Sequence, residues 1–257
     1  ARYRSPTAAP PTPKLRTGSM FAQQLGFAAT WSRPACSSCS HILTRPSLTR
    51  SLGLSKCTAG HTVRRIPVVT ATPENFAHFG TLLGDTSTSS TSTHYQAVRV
   101  VNPSTNFASD EDTCVLVLCY EPRPLECKFL ERHYKHTQTF IPLEGKPLVG
   151  FFAPSNESAE EPDLDAVRCF AFDGSAGFVM HKGVWHEQPF PLVPGTKAVC
   201  ILRNETVREL KPTDERTQEC HGQDIDKLNL AVRHNLIFTA DADAAAAALL
   251  SETESLQ

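Results

Sequence analysis

A chain of 257 residues with 40% hydrophobic and 20% charged residues has room for one large domain or two small ones. Its apolar runs, such as CVLVLCY at 114–120, are far too short to span a bilayer as a helix, so no membrane partner is expected. The formal charge of −2 hides a division: no Asp or Glu precedes Glu74, where ten of the 25 Lys and Arg lie, and the remainder carries 15 basic and 27 acidic residues, a net of −12. Phosphate binding needs a basic surface, so an acidic body argues against nucleic acid as a main partner.

Residues 1–65 are Arg-rich, Ser-rich and free of acid, the composition of an organellar targeting segment without fixed structure. Mitochondrion and plastid are both open, and a cytoplasmic location follows if the leader does not function. The first methionine is Met20, so residues 1–19 read as a fragment or translated leader. Within this segment Cys36 and Cys39 form a CxxC match with no second pair, which is a poor zinc or redox motif. The other seven of the nine cysteines are scattered singly, mostly inside apolar runs, as expected of buried free thiols in a reducing compartment.

A folded domain is expected over 66–230. It opens with a short apolar strand, and then Thr72-Pro73-Glu74 introduces a helix that Thr70 or Thr72 would cap and Gly80 would end. DTSTSSTSTH (85–94) is a polar, low-complexity loop. Strand-like runs follow at 94–101, 114–120, 125–133, 139–143, 148–154, 166–172, 177–185 and 196–203, punctuated by Glu144-Gly145-Lys146-Pro147, Asp173-Gly174 and Pro194-Gly195. QDIDKLNL, ending at Leu230, reads as a last strand, and 231–257 as a tail with an Ala-rich helix. The fold class is therefore mainly β, an antiparallel barrel or sandwich with a short N-terminal helix.

On a strand of period two, Glu131 and His133 share a face while Arg132 takes the other. Gln138 follows beyond a short loop and can reach the same wall. Far downstream, HKGVWHEQP (181–189) brings His181 and His186 around Gly183. An acid, imidazoles and an amide oxygen make a reasonable set for a divalent transition metal, and a carboxylate ligand leaves open positions for a substrate. On a regular strand His181 and His186 would face opposite ways, but Gly183 permits a bend. Glu187 is placed to orient the His186 ring or to be exposed; Trp185 reads as packing; His136, His221 and His234 are given no role.

These spacings resemble the double motif of cupins. Glu131-Arg132-His133, four residues, Gln138, six residues and Gly145 resemble its first half, with Glu and Gln at the outer positions. His181-Lys182-Gly183-Val184-Trp185-His186 resembles its second, with His181 in place of a proline. More narrowly, LERHYKHTQTFIPLEGKP (130–147), MHKGVWHEQPF (180–190) and IPVVTATPENFAHFG (66–80) are similar to segments of the ureidoglycolate lyase family, from about Ile66 to Leu228.

That resemblance implies a cupin-like barrel, a homodimer, and cleavage of (S)-ureidoglycolate to glyoxylate and urea in allantoin breakdown. It implies a divalent metal, with nickel able to serve; the expected ligands are Glu131, His133, Gln138 and His186, and His181 is the best-placed candidate for general acid or base, with His186 also expected to be catalytic. Family members carry an Arg-Tyr pair where this chain has His94-Tyr95, and an arginine where Cys119 falls. Recognition of the substrate carboxylate would then pass to Lys182, Arg203 or Lys135. Two other readings stay open: a non-catalytic cupin that binds a small organic acid, and a hydrolase that releases ammonia.

Overall fold

Every residue of the run LVGFFA, Leu148–Ala153, is buried. A strand buried at each position must be covered on both faces, and the arrangement around it explains how. The structure, a computed structural model, describes residues 60–84, 92–95, 97–101 and 105–255. The segment up to residue 59, expected as a targeting leader and including Cys36 and Cys39, and residues 85–91 of the expected Ser/Thr-rich loop lie outside the described residues.

In chain order, β1 (Thr62–Arg65) and β2 (Val68–Thr70) lead to one helical turn, α1 (Pro73–Phe76), and to β3 (Gly80–Leu82). A hairpin of β4 (Ser92–Tyr95) and β5 (Val98–Val101) follows, then β6 (Thr113–Cys119), β7 (Glu126–Cys127), β8 (Phe129–His133) and β9 (Gln138–Pro142). Next come β10 (Leu148–Ala153), β11 (Arg168–Phe172), β12 (Phe178–Met180), β13 (Trp185–His186), β14 (Phe190–Pro191) and β15 (Lys197–Arg203). The chain closes with α2 (Asn204–Glu209), β16 (Cys220–His221), β17 (Ile225–Asn229), α3 (Leu230–Arg233), β18 (Leu236–Thr239) and α4 (Ala242–Ser255).

One sheet runs in the order β16-β17-β8-β13-β10-β11-β2, with β14 also paired to β10; a second runs β3-β12-β9-β15-β6; a third runs β1-β18-β7. Ladders are antiparallel except β1 with β18 and β2 with β11, which are parallel. The fold is mainly β and cupin-like, as its sequence implies. Thr62–Arg65 and Leu236–Thr239 are strands, so the paired region extends on both sides of 66–230.

Alternation along β10 and β11 separates two cores. Val149, Phe151, Ala153, Cys169 and Ala171 pack with Leu130, Trp185, Leu228, Phe238 and Ala245 on one face of the first sheet. Phe152, Phe170 and Phe172 pack on the other face with Phe76, Phe140, Phe178, Cys200 and Leu202, between the two large sheets. Phe76 makes edge-to-face contacts with Phe152, Phe170, Phe172 and Phe178 at 5.2–5.7 Å, and Phe172 stacks on Phe178 at 4.1 Å. These rings fill the inter-sheet space with apolar surface that supplies the main favourable free energy of folding.

Thr72 caps α1 through a reciprocal pair with Asn75, and Pro73 opens the helix where its missing N–H costs nothing. The helix lasts one turn. Gly80, expected to end it, instead opens β3, where a Cβ would collide with the Val179 carbonyl. The run 177–185, expected as one strand, is two: β12 belongs to the second sheet and β13 to the first. The crossing falls at Gly183, whose φ of +78° is open to glycine at little steric cost.

Candidate metal centre

β8 carries FLERH with Leu130 in the outer core. Period two therefore sends Glu131 and His133 into the space between the large sheets and Arg132 outward. Arg132 is occupied there: it lies over Trp185 at 4.4 Å, donates to Ser155, Ala159 O and Glu160 O, and pairs with Asp226 at 3.0 Å. On β13, Trp185 goes to the outer core and His186 inward. His186 and Glu131 are register partners across the β13–β8 ladder. The turn that permits this is pinned by Gly183 N–H donating to His133 O at 2.7 Å.

Glu131, His133 and His186 are all buried, and one donor atom from each lies within 4.8 Å of the others. His186 Nδ1–H donates to Val184 O at 3.0 Å, which leaves the Nε2 lone pair toward Glu131 Oε1, 3.7 Å away. Burial lowers the His186 pKa to about 4, so the ring is neutral at pH 7. Burial, with His186 and His136 alongside, also holds His133 well below the usual range. Burial raises the Glu131 carboxyl, offset in part by the Lys227 charge and by Gln188 Nε2, which donates to its Oε1 at 3.5 Å.

Gln138, first residue of β9, donates its amide to Cys200 Sγ at 3.5 Å and interacts with the His133 ring, where it favours a proton on that ring. His186 Nε2 is buried without a hydrogen-bond partner, and the buried His133 ring has only Gln138 beside it as a hydrogen-bonding side chain. Buried polar atoms are nearly always paired, and a neutral imidazole carries one lone pair, so the lone pairs of His133 and His186 beside the Glu131 carboxylate make a donor set that suits a cation. Two imidazoles, a carboxylate and an amide oxygen fit a divalent transition metal, and the structure brings together all four residues the motif singles out.

The other expected roles fall differently. His181 is exposed on the turn between β12 and β13, and its Nε2–H donates to Ala77 O at 3.2 Å. It therefore sits outside the buried cluster rather than beside His186, because the chain changes sheet between them. Lys182, next to it, is exposed. Arg203 is corrected: its side chain is 1% exposed and paired with Asp110, Glu111 and Glu205, so its donors are committed and none is left for a substrate. Lys135 Nζ pairs with Glu205 at 3.8 Å. Glu187 does not orient His186; it accepts from Phe129 N at 3.1 Å and faces Arg123 at 3.4 Å. The side chains at 94 and 95 lie outside the described residues, and Cys119 is exposed on β6.

Three further residues adjoin the centre. His136, given no role above, is fully buried with its ring 4.7 Å from His133 and its Nδ1 2.8 Å from Asp224 Oδ2. Asp224 is also fully buried; burial would raise its pKa, yet hydrogen bonds with His136, Thr206 and Lys135 N hold it below the ordinary value. Lys227 is the register partner of Glu131 on β17, half-buried, with Nζ 5.0 Å from the Phe129 ring. Cross-strand partners share a face, which puts Lys227 on the same side as Glu131. A His two residues before Gln138 was the available sequence signal; Asp224 and Lys227 had none, because strand pairing alone brings them there.

The fold and site define a small cupin-like β protein with an inward Glu/His cluster that could hold a metal ion. The family profile for ureidoglycolate lyase matches residues 63–222, and the chain belongs to that family. A Pseudomonas putida protein named ureidoglycolate lyase is 31% identical over 129 residues, 48% of this chain and 75% of its own length. An Azotobacter vinelandii protein of that name is 34% identical over 83 residues, 32% of this chain and 48% of its own length. A third, from Pseudomonas savastanoi pv. phaseolicola, is 40% identical over 65 residues, 25% of this chain; the chain spans 36% of that relative's length.

Proposed function

We propose that this chain is a metal-dependent ureidoglycolate lyase that splits (S)-ureidoglycolate into glyoxylate and urea. The observation that carries the reading is the convergence of Glu131, His133 and His186 within 4.8 Å in a buried space, with His186 Nε2 unpaired, on the segments that match the family. Membership of the family and the names of its relatives support the substrate.

The substrate carbon carries a hydroxyl, a carboxylate and the urea nitrogen. Cleavage removes the hydroxyl proton, forms the aldehyde C=O, breaks the C–N bond and returns a proton to the departing nitrogen. A divalent cation held by Glu131, His133, Gln138 and His186 would supply Lewis acidity to the substrate oxygens. The chain's own part is to present His186 with Nδ1–H tied to Val184 O and Nε2 unprotonated at neutral pH. Gln188 steadies the Glu131 carboxylate. Lys227, on the Glu131 face, is the cation best placed for the substrate carboxylate.

Val115 and Val117, 66% and 61% exposed on the edge strand β6, support a homodimer, to be read by light scattering. The acid-free leader supports an organellar address, tested by fusing it to a fluorescent protein.

The deciding experiment strips the full chain of metal and supplies nickel, manganese or zinc in turn with fresh (S)-ureidoglycolate. Equimolar glyoxylate and urea, raised by one metal, is the expected result. Ammonia without urea would make the protein a hydrolase, and no turnover with any metal would leave a binding module.

A further inference from the structure

Cys114, Leu116 and Leu118 of β6 pack against the inter-sheet core, while Val115, Val117 and Cys119 face outward. Period two sends the next residue, Tyr120, inward again, and Tyr120 N continues the pairing by donating to Thr196 O at 3.0 Å. The Tyr120 hydroxyl is buried, and among the described residues no group bonds to it. We propose that Tyr120 is a further catalytic residue: its O–H donates to the ureido carbonyl oxygen of the substrate and stabilises the charge that gathers there as the C–N bond breaks. The proposal rests on the reading of the Glu131, His133 and His186 centre as that of a lyase.

Two sets of contacts place the phenol against this centre. On the second sheet, Cys200 bears on the ionisation of Tyr120. The same Cys200 Sγ accepts from Gln138 Nε2 at 3.5 Å and lies within the influence of the Glu131 charge. From the loop after β6, Arg123 also acts on the phenol. Arg123 Nη2 donates to Gln188 O at 2.6 Å, and Gln188 Nε2 donates to Glu131 Oε1 at 3.5 Å. Tyr120 therefore stands between the partner of Gln138 and the partner of Gln188, and its hydroxyl bonds to neither.

A buried hydroxyl left without a partner costs stability, and such groups concentrate where function needs them. Burial raises the phenol pKa, Cys200 adds to the rise and Arg123 offsets it. The hydroxyl thus keeps its proton at neutral pH and is available as a donor. Breaking the C–N bond moves the bonding pair onto the urea nitrogen, and conjugation shares that charge with the carbonyl oxygen. A donor already aimed at that oxygen binds the transition state better than the ground state. Tyr120 gives up no proton in this role, so the balance of the cleavage is unchanged.

The test compares full-length wild type and Tyr120→Phe, each supplied with nickel, manganese or zinc in turn. Glyoxylate and urea release, metal affinity and melting temperature are measured on both. In the variant kcat should fall about 100-fold, the worth of one such donor. Metal affinity should hold, and the melting temperature should stay or rise because an unpaired hydroxyl has gone. An unchanged kcat, whatever KM does, would overturn the proposal. So would a melting temperature well below wild type, which would mean the hydroxyl is already bonded within the fold. A metal affinity that falls together with kcat would assign the hydroxyl to the ligands instead of the substrate and overturn it too. Each of these leaves the lyase reading standing; wild type that releases no urea with any metal would overturn both.

Discussion

His186 Nε2 lies 3.7 Å from Glu131 Oε1, and the two residues face each other as register partners of β13 and β8. Sheet geometry, not a flexible loop, sets their spacing. Glu131→Gln keeps the shape of the side chain and removes its charge. Loss of partners that merely orient metal ligands costs about 10–100-fold; removing this ligand charge should lower nickel affinity and kcat/KM by at least about 100-fold. Calorimetric nickel titration and steady-state rates check both, and an unchanged affinity would remove Glu131 from the centre.

Glu187 gives a pH signature. Burial pushes its pKa from 4.5 up to about 7, against the lowering influence of Arg123. A carboxyl raised in the folded state contributes stability that is fully present below pH 4.5 and lost as pH rises through 7. Glu187→Gln lacks that loss. Between pH 4 and pH 8 the stability of the metal-free variant should therefore gain roughly 3 kcal/mol on wild type. Urea denaturation at the two pH values measures the difference; parallel behaviour would mean the carboxyl titrates normally.

Arg203 is structural. Arg203→Met removes three ion pairs from a buried guanidinium. The loss should be about 2 kcal/mol, since Asp110 and Glu111 are more than half exposed and regain water. The melting temperature should fall while nickel stoichiometry and KM stay as in wild type. A raised KM with unchanged stability would restore Arg203 to substrate binding.

Lys227 is the counterpart. Lys227→Met should raise KM for ureidoglycolate by about 10–100-fold, the worth of one charge-assisted hydrogen bond, with a smaller change in kcat. Nickel affinity should hold. If KM is unaffected, the substrate carboxylate is bound elsewhere.

Local pattern made much of this architecture readable. Period two on FLERH separates Glu131 and His133 from Arg132, and the structure keeps that division. Thr72-Pro73 announces α1 by its chemistry. What stayed hidden depends on partners distant in the chain. His136 looked idle because Asp224, 88 residues on, arrives only when β17 pairs with β8. Arg203 looked available because nothing in AVCILR reveals that Asp110 and Glu111 close over it. His181 and His186 looked like neighbours because the change of sheet at Gly183 is a property of two sheets, not of nine residues.

The parallel ladder of β1 with β18 has a practical side. Thr62–Arg65 covers the backbone of Leu236–Thr239, and Ile66 N continues the pairing to Thr239 O at 2.8 Å. A protease cut after Arg65, or a recombinant version begun at Ile66, would uncover the β18 edge beside apolar Leu236 and Phe238. Unprotected edges recruit strands from other molecules. Solubility of preparations should thus change sharply over four residues, with Thr62 on the safe side of the line.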